Sequence, residues 1–166
     1  MRNVADYRLL LEAYYGFIQP LEGVIRQHIG DGHFNIEQRL RAPKLEVDLT
    51  FLGSTELDKL PEFPDFSFVH DEASALGSLY VLEGSTLGGT FIVQMIRHKF
   101  PLENGLLYFA GYGDNNTTMW TEFTQVLNKE HSTVFQDKAV NAANTTFNNF
   151  DNWLQQQLQP LLTSNA

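Results

Sequence analysis

Apolar residues recur at steps of three and four through most of this chain, which is the spacing of one face of an α-helix. The longest such pattern runs from Ala73 to Phe100 and predicts one central helix. Its predicted apolar face consists of Ala73, Leu76, Gly77, Tyr80, Gly84, Leu87, Phe91 and Met95. A glycine inside a helix costs roughly 0.5–1 kcal/mol relative to alanine. Gly77, Gly84, Gly88 and Gly89 therefore need a compensating role in this helix.

Two roles are compatible with the spacing of these glycines. In the first, the glycines let a neighbouring helix pack closely, or they kink the helix where it crosses the core. In the second, the missing side chains leave a flat slot in which a planar ligand lies against the main chain. The spacing alone favours the packing role, because an isolated glycine motif is a weak indication of a ligand. A phosphate-binding loop is disfavoured, since no Gly-Lys-Ser/Thr follows and no β-rich run precedes.

The N-terminal part is predicted to hold a long helix followed by two shorter ones. Asp6 to His28 shows a helical pattern, and Pro20 is expected to kink this helix or to split it in two. Phe34 to Arg41 is predicted as a short helix that Pro43 closes. Lys44 to Leu52 suits a helix or a strand by propensity, and its helical neighbours favour the helix.

The C-terminal part is predicted to add two more helices. His70 or Asp71 is expected to cap the central helix, and the segment 104–116 is predicted as a loop. Thr117 to Asn128 is predicted as a helix, and Ser132 opens the last one. The expected core stripe of that last helix is Val140, Ala143, Phe147, Phe150, Leu154 and Leu158. The pattern as a whole predicts an all-α fold of about six helices around one core.

Composition narrows the possible functions. At 166 residues the chain is expected to form a single domain over residues 1–166. The formal net charge of −9 argues against nucleic acid and against an anionic membrane surface as partners. The absence of cysteine excludes disulfides, thiolate nucleophiles and cysteine-ligated metals. We find no apolar run of spanning length and no secretory signal pattern, so we expect a cytoplasmic protein without a membrane partner.

Most motifs of enzyme chemistry are missing. None of the five histidines forms an H-E-x-x-H or a Glu-x-x-His pattern, so no metal ligand is assigned. Ser85 lies in a predicted helix rather than at a strand-to-helix elbow, which argues against a hydrolase. For Glu83 the simpler expectation is a solvated or ion-paired side chain, and for Tyr80 it is a place in the core.

The run from Tyr80 to Gly89, YVLEGSTLGG, resembles the distal-helix motif of haem oxygenases, and it is most similar to the bacterial branch associated with phytochromes. The resemblance extends over nearly the whole chain. Tyr7 to Glu22 is similar to the second helix of that family, and Phe147 to Leu154 is similar to its last helix. The segment 109–113, followed by Met119, Trp120 and Phe123, resembles its later segments.

The resemblance implies a haem oxygenase-like helical bundle, in which haem lies between a proximal helix and a kinked distal helix. Gly84, Gly88 and Gly89 would give haem access to the main chain, with Tyr80 and Phe147 as further contacts and Ser85 as a contact and the candidate catalytic residue. Haem would be both substrate and cofactor. With O₂ and electrons from a reductase or ferredoxin, such a protein opens haem to biliverdin and releases iron and carbon monoxide.

The chain departs from the family pattern at three points. The family's proximal ligand is a histidine on a helix before the segment that begins here at Tyr7, and residues 1–6 contain no histidine. The expectation is that this chain lacks that helix or works without it. Some branches carry an acidic residue where Ser85 stands, and the helix 117–128 has no basic residue for the haem propionates. His28 and His33 are conceivable replacement ligands, although a structural role is the expectation for both.

Three hypotheses follow. The first is a haem oxygenase-like enzyme whose axial ligand comes from another position. The second is a non-catalytic or vestigial member that keeps the helical frame and binds a ligand without turnover. The third is a homodimer that covers the apolar sides of the first helix and the glycine helix.

Overall fold

The computed structural model describes residues 1–30, 32–129 and 131–159, and these residues form helices without any strand. The α-helices are α1 (Val4–His28), α2 (Ala42–Phe51), α3 (Glu72–Ser85), α4 (Gly89–Lys99), α5 (Leu107–Ala110), α6 (Asn116–Leu127) and α7 (Thr133–Gln157). Short 3₁₀ turns lie at Ile36–Gln38, Leu57–Lys59, Thr86–Gly88 and Gly113–Asn115. The predicted all-α architecture is confirmed, with a short additional helix, α5, inside the expected loop 104–116.

Helix α1 is continuous although it contains Pro20, so of the two expected outcomes, a kink or a split, the split is wrong. A proline cannot donate to the carbonyl four residues back, which here belongs to Gly16. The backbone N–H of Phe63 donates to that carbonyl instead, at 2.8 Å. A Cβ on Gly16 would overlap the carbonyl of Pro61, so the glycine lets the 61–63 segment approach α1 closely. The hydrogen bond that the proline removes is therefore replaced from outside the helix.

The predicted short helix from Phe34 to Arg41 is wrong, because only one 3₁₀ turn forms there, at Ile36–Gln38. Pro43 begins a helix rather than closing one, since it stands in the first turn of α2, where its missing N–H is tolerated. The carboxylate of Glu22 caps α2 from the neighbouring helix. It accepts hydrogen bonds from the backbone N–H groups of Arg41 and Ala42 at 2.8 and 2.9 Å.

The predicted central helix is present and is interrupted at the glycines, as α3, the 3₁₀ turn Thr86–Gly88 and α4. Asp71 caps α3 in a reciprocal capping box with Ser74. The first half of the predicted apolar face is buried, whereas Tyr80 and the residues after the break are not. The expectation of a core position for Tyr80 is therefore wrong, because its side chain is 45% exposed.

Small residues bring α7 close to α3. A Cβ on Gly77 would overlap the Ala139 carbonyl, and the hydroxyl of Thr146 donates to that of Ser78 at 3.0 Å. This close approach sets the rotation of α7. Val140 and Phe147, which were predicted for the core, are 59% and 63% exposed. Leu158, the last residue of the core stripe predicted for this helix, lies just beyond the end of α7 and is half-buried.

The helical stretch Glu72–Lys99, with 28 residues, is long and apolar enough to cross a membrane by length and composition alone. The expectation that no stretch reaches spanning length is therefore wrong. The core helix of a soluble protein can have the same length and composition, and the α3 half of this stretch packs against α1, α6 and α7.

Candidate functional site

A cleft of about 470 Å³ lies beside the break between α3 and α4. This volume is in the range of small-molecule sites. The walls come from α1, α3, α6 and α7, while α5, the first turn of α4 and Arg41, which lies just before α2, close the remaining sides. The lining residues are Tyr14, Arg41, Tyr80, Val81, Leu82, Gly84, Ser85, Leu87, Ile92, Tyr108, Phe109, Trp120, Phe147 and Phe150. The cleft is thus mostly aromatic and aliphatic, with a few polar groups.

The structure brings most of the predicted site residues together at this cleft. Tyr80, Gly84, Ser85 and Phe147 all line it. Gly88 and Gly89 are not among the lining residues. Tyr80 contacts Trp120 on α6 with ring centroids 5.4 Å apart, so the two rings form one wall.

The glycines of the central helix serve two different purposes. A Cβ on Gly77 or Gly89 would overlap a backbone carbonyl, that of Ala139 or Phe109, so these two glycines allow close packing of the chain. A Cβ on Gly84 would meet only the Trp120 ring, at 3.6 Å, which is an ordinary contact. The packing role inferred from the sequence is therefore present at Gly77 and Gly89, whereas Gly84 leaves the main chain without a side chain beside the Trp120 ring at the cleft.

Ser85 is bound by a buried arginine. Nη2 of Arg41 donates to Oγ of Ser85 at 2.7 Å and to the carbonyl of Leu82 at 2.8 Å. The hydroxyl of Ser85 itself donates to the same carbonyl at 2.6 Å. Thr86, the residue that would bond Leu82 in a continuous α-helix, donates its N–H to Glu83 instead. The guanidinium thus satisfies a carbonyl at the point where the helix changes to a 3₁₀ turn.

Arg41 is 2% exposed, and its guanidinium lies over the ring of Tyr108 at 4.6 Å. Among the described residues it forms no ion pair with a carboxylate. Glu22, which is buried nearby, uses both of its oxygens on the backbone of Arg41 and Ala42. Burial raises the pKa of Glu22, and these two N–H donors oppose the rise. The cleft therefore contains a buried cation that is not neutralised by a direct carboxylate contact.

Two tyrosines complete the polar part of the cleft. Tyr14 packs its ring edge-on against Tyr108, Phe109 and Phe150, with centroids 5.5, 5.6 and 4.9 Å away. Burial raises the pKa of both tyrosine hydroxyls, so they keep their protons at neutral pH. Both can therefore donate a hydrogen bond to a ligand in the cleft.

The opposite side of the helix break is held by Glu83, which is 1% exposed. Its carboxylate accepts a hydrogen bond from the Tyr112 hydroxyl at 2.5 Å and forms an ion pair with Arg39 at 2.8 Å. Arg39 also donates to the carbonyl of Met119 at 3.1 Å and lies 4.3 Å over the ring of Phe34. Burial raises the pKa of Glu83, whereas the Tyr112 hydroxyl and the Arg39 guanidinium oppose that rise. Glu83 is thus ion-paired, in line with one of the two simple expectations, and it is not solvated.

Arg39 and Arg41 were not predicted as site residues. Both lie in the segment that the sequence assigns to a short helix. Arg39 binds Glu83 and Arg41 binds Ser85, and each partner lies 44 positions further along the chain. No local pattern indicates contacts over that separation. The signal that could have found Arg41 was its charge. A cation just before the first turn of a helix is unfavourable for the helix dipole, so its presence before α2 indicates a specific partner elsewhere.

None of the chain's five histidines is among the residues that line the cleft. His33 lies in a separate cavity beside α6, where Nε2 is 2.9 Å from the carboxylate of Glu72. His131 stacks on Phe135 with ring centroids 4.0 Å apart. In the parts of the chain that the structure describes, no group of three or more His, Asp or Glu side chains is arranged to hold a metal ion.

Comparison with known proteins agrees with this arrangement. The family model described as "Heme oxygenase" matches residues 2–156. A protein named "Heme oxygenase" from Xanthomonas campestris pv. campestris (strain 8004) is 33% identical over 147 residues, which are 87% of this chain and 84% of that protein. No solved structure matches the chain significantly. By the extent of the family match and by this relative, the chain belongs to the haem oxygenase family.

Proposed function

We propose that this chain binds haem in the cleft and catalyses its O₂-dependent opening to biliverdin, iron and carbon monoxide. The observation that carries the proposal is that one aromatic cleft contains both the main chain at Gly84, which carries no side chain, and the buried guanidinium of Arg41, which contacts no carboxylate among the described residues. The proposal extends to this chain the activity that the family resemblance implies.

The apolar part of the cleft lining suits the face of a flat aromatic substrate. Trp120 and Phe147 supply ring surfaces, and Gly84 leaves the backbone beside the Trp120 ring free of a side chain. Large rings contribute most of the apolar contact area of such sites. When bound, haem supplies both the iron that activates O₂ and the ring that is opened.

The polar groups of the cleft are hydrogen-bond donors, so they would stabilise negative charge on a bound ligand. Arg41 presents a guanidinium that contacts no carboxylate in the described parts of the chain, and Tyr14 and Tyr108 present hydroxyls that stay protonated. Such donors stabilise a developing negative charge most strongly where water is excluded. Ser85 accepts a hydrogen bond from Arg41, so its hydroxyl is held in a fixed orientation beside the cleft.

The residues that line the cleft include no histidine that could bind the haem iron. This observation favours a second candidate function, which is binding of haem or another flat ligand without turnover. Exogenous imidazole distinguishes the two candidates, because it provides the missing ligand.

A hemin titration tests the proposal. We expect a Soret band distinct from that of free hemin, sharpened by imidazole, followed by conversion to biliverdin when ascorbate or a ferredoxin with its reductase is added. Biliverdin is identified by chromatography, and carbon monoxide by its transfer to myoglobin. A spectrum that stays that of free hemin, with and without imidazole, contradicts both candidates. Haem uptake without biliverdin under all these conditions supports the second one.

A pair of variants tests whether the cleft is the binding site. Gly84→Leu fills the space over the main chain and is expected to weaken hemin binding about tenfold or more. Gly23→Leu is the matched control, because Gly23 is an exposed helical glycine with open space around it. Equal hemin affinity in the two variants would place the haem elsewhere on the protein.

A further inference from the structure

An exposed stripe of four residues begins at the helix break and follows α4 to its C-terminal end. Gly88, Phe91, Met95 and His98 are separated by three, four and three positions, which is the spacing of residues that face a partner helix. Phe91 and Met95 are 65% and 51% exposed, and Gly88 and His98 are exposed as well. A Cβ on Gly88 would meet no atom within 4 Å. We call these four residues the α4 stripe, and the described part of the chain leaves it uncovered.

The α4 stripe is complementary to itself in the antiparallel direction. Phe91 lies as far before position 93 as Met95 lies after it, and Gly88 and His98 are related in the same way. In a two-fold dimer with antiparallel α4 helices, Phe91 of one copy therefore packs on Met95 of the other. The imidazole of His98 then lies over Gly88 of the other copy, which leaves room for the ring because it has no side chain.

The charges of α4 favour the antiparallel direction. The helix carries Arg97 and Lys99 in its last turn and contains no acidic residue, whereas the whole chain has a formal net charge of −9. In an antiparallel dimer the two basic ends lie far apart, and each of them meets a second copy of an acidic chain. A parallel pairing would bring the two basic ends together, where like charges repel.

We infer that two copies of this chain pack through the α4 stripe, and that His98 of each copy enters the cleft of the other and binds the haem iron there. The second part rests on the proposed function, whereas the dimer does not. None of the residues that line the cleft is a histidine, and Leu87, which does line it, directly precedes Gly88. A ring over Gly88 therefore stands at the mouth of the cleft. His98 is available for this role, because its imidazole has no hydrogen bond or ion pair within the described residues.

Dimerisation and hemin binding should strengthen each other, because only the dimer supplies the histidine. The α4 stripe is short compared with a standard interface of about 800 Å² per copy, so we expect the dimer to dissociate on dilution when hemin is absent. Hemin should tighten the dimer about tenfold or more, as measured by analytical ultracentrifugation. Added imidazole should sharpen the haem spectrum mainly in dilute protein, where His98 of the other copy is missing.

Engineered cysteines test the register without haem, because the chain contains no cysteine of its own. Under mild oxidation, a mixture of the Gly88→Cys and His98→Cys variants should form a covalent dimer, whereas neither variant alone should do so, since equivalent positions lie too far apart for a disulfide. Gly23→Cys mixed with His98→Cys is the control, because Gly23 is exposed and lies on α1, away from the α4 stripe. Cross-linking within each variant rather than between them would show a parallel pairing and overturn the inference.

Two complementary variants test whether His98 acts in the other copy. Gly84→Leu blocks the cleft and keeps His98, whereas His98→Ala keeps the cleft and removes the histidine. At a hemin concentration that fills only open clefts, neither variant alone should show the absorption and electron paramagnetic resonance spectra of histidine-bound haem. Their equal mixture should recover about a quarter of the wild-type signal, because half of the dimers are mixed and each of these holds one complete site. His70→Ala is the control, since His70 is an exposed histidine outside α4 and should leave the spectra unchanged.

The outcomes separate this inference from the proposed function. If the cysteine variants cross-link as expected but the wild type takes up no hemin, the dimer stands, and the proposed function falls together with the role of His98. If hemin is taken up but the mixture recovers no signal, the assignment of His98 is wrong while haem binding stands. A protein that sediments as a monomer at high concentration, with and without hemin, overturns both parts of the inference.

Discussion

The guanidinium of Arg41 bonds the hydroxyl of Ser85 at 2.7 Å, across 44 positions of sequence. Two residues earlier, Arg39 pairs with Glu83 on the other side of the same helix break. One short connection between α1 and α2 thus holds the end of α3 from both sides. The predictions below concern this arrangement, the glycines beside it and the cap at the start of α3.

Replacing Arg41 by methionine should destabilise the fold by about 2–3 kcal/mol, because hydrogen bonds from a charged donor are lost inside the protein. Ser85→Ala should cost less than about 1.5 kcal/mol, and the double variant should cost less than the sum of the two, since they share one hydrogen bond. The free energy of unfolding is measured by urea titration. Arg26→Met is the control, since it removes an exposed ion pair and should change stability by at most about 0.5 kcal/mol. Additive costs would show that the Arg41–Ser85 contact carries no coupling.

Removing the carboxylate of Glu83 should destabilise the fold by about 3–5 kcal/mol, because Glu83→Ala leaves Arg39 buried without its main partner. The double variant Glu83→Leu/Arg39→Met removes both charges and should recover a substantial part of that loss. Denaturant unfolding followed by circular dichroism gives both values. A double variant that is as unstable as the sum of the single changes would mean that the pair adds nothing to the individual side chains.

Gly77 and Gly84 should respond differently to the same substitution. Gly77→Ala places a methyl group against the Ala139 carbonyl and should cost about 3 kcal/mol or more, because backbone must move. Gly84→Ala meets only the Trp120 ring and should leave stability within about 1 kcal/mol of the wild type, since alanine is the better helix former. Thermal unfolding of the two variants provides the comparison. Similar losses at both positions would indicate that Gly84 is also a packing glycine.

The cap of α3 should give the protein a defined acid sensitivity. Asp71 accepts hydrogen bonds from Lys138 at 2.6 Å and from the Ser74 backbone at 2.9 Å, and these contacts hold the pKa of Asp71 well below its ordinary value of 3.8. A lowered folded-state pKa means that the stabilisation is complete above pH 3.8 and is lost as the pH falls through the folded-state value.

At pH 7 we expect Asp71→Ala to cost about 1–2 kcal/mol and Asp71→Asn less, because asparagine also caps helices well. The gap between the wild type and Asp71→Asn should shrink below pH 3.8. Urea midpoints at pH 7, 5 and 3 measure this gap. A gap that is constant over this range would show that the charge of Asp71 plays no part.

Much of the fold follows from local sequence. The central helix was predicted, with its cap narrowed to His70 or Asp71, because apolar spacing and capping chemistry act within a few residues. A kink at the glycines was also expected, as one of the roles that their spacing allows and as a feature that the family resemblance implies. The sequence left open whether α1 continues through Pro20 or splits there, since the hydrogen bond that compensates Pro20 comes from Phe63 in a distant loop. The rotation of α7 was missed for a similar reason, because the contact between Gly77 and Ala139 decides it.

Only the part of the candidate site that comes from the central helix and α7 was predicted from the sequence. The glycine motif indicated a ligand surface, and Tyr80, Gly84, Ser85 and Phe147 do line one cleft. The motif does not distinguish Gly84, which faces the cleft, from Gly89, which packs against Phe109. The polar groups that meet Ser85 come from a different part of the chain, and their positions depend on tertiary packing rather than on spacing.

The bend in the central helix depends on more than its glycines. Glycine permits several backbone conformations at this point. Arg39 and Arg41 stabilise one of them by binding the Glu83 side chain and the Leu82 carbonyl, respectively. A peptide with the sequence 72–99 alone would lack both arginines and is expected to sample straight and bent forms. The surface against which a ligand lies is therefore assembled only when the segment between α1 and α2 docks, so its backbone amides should become protected from hydrogen exchange together with those of residues 39–41.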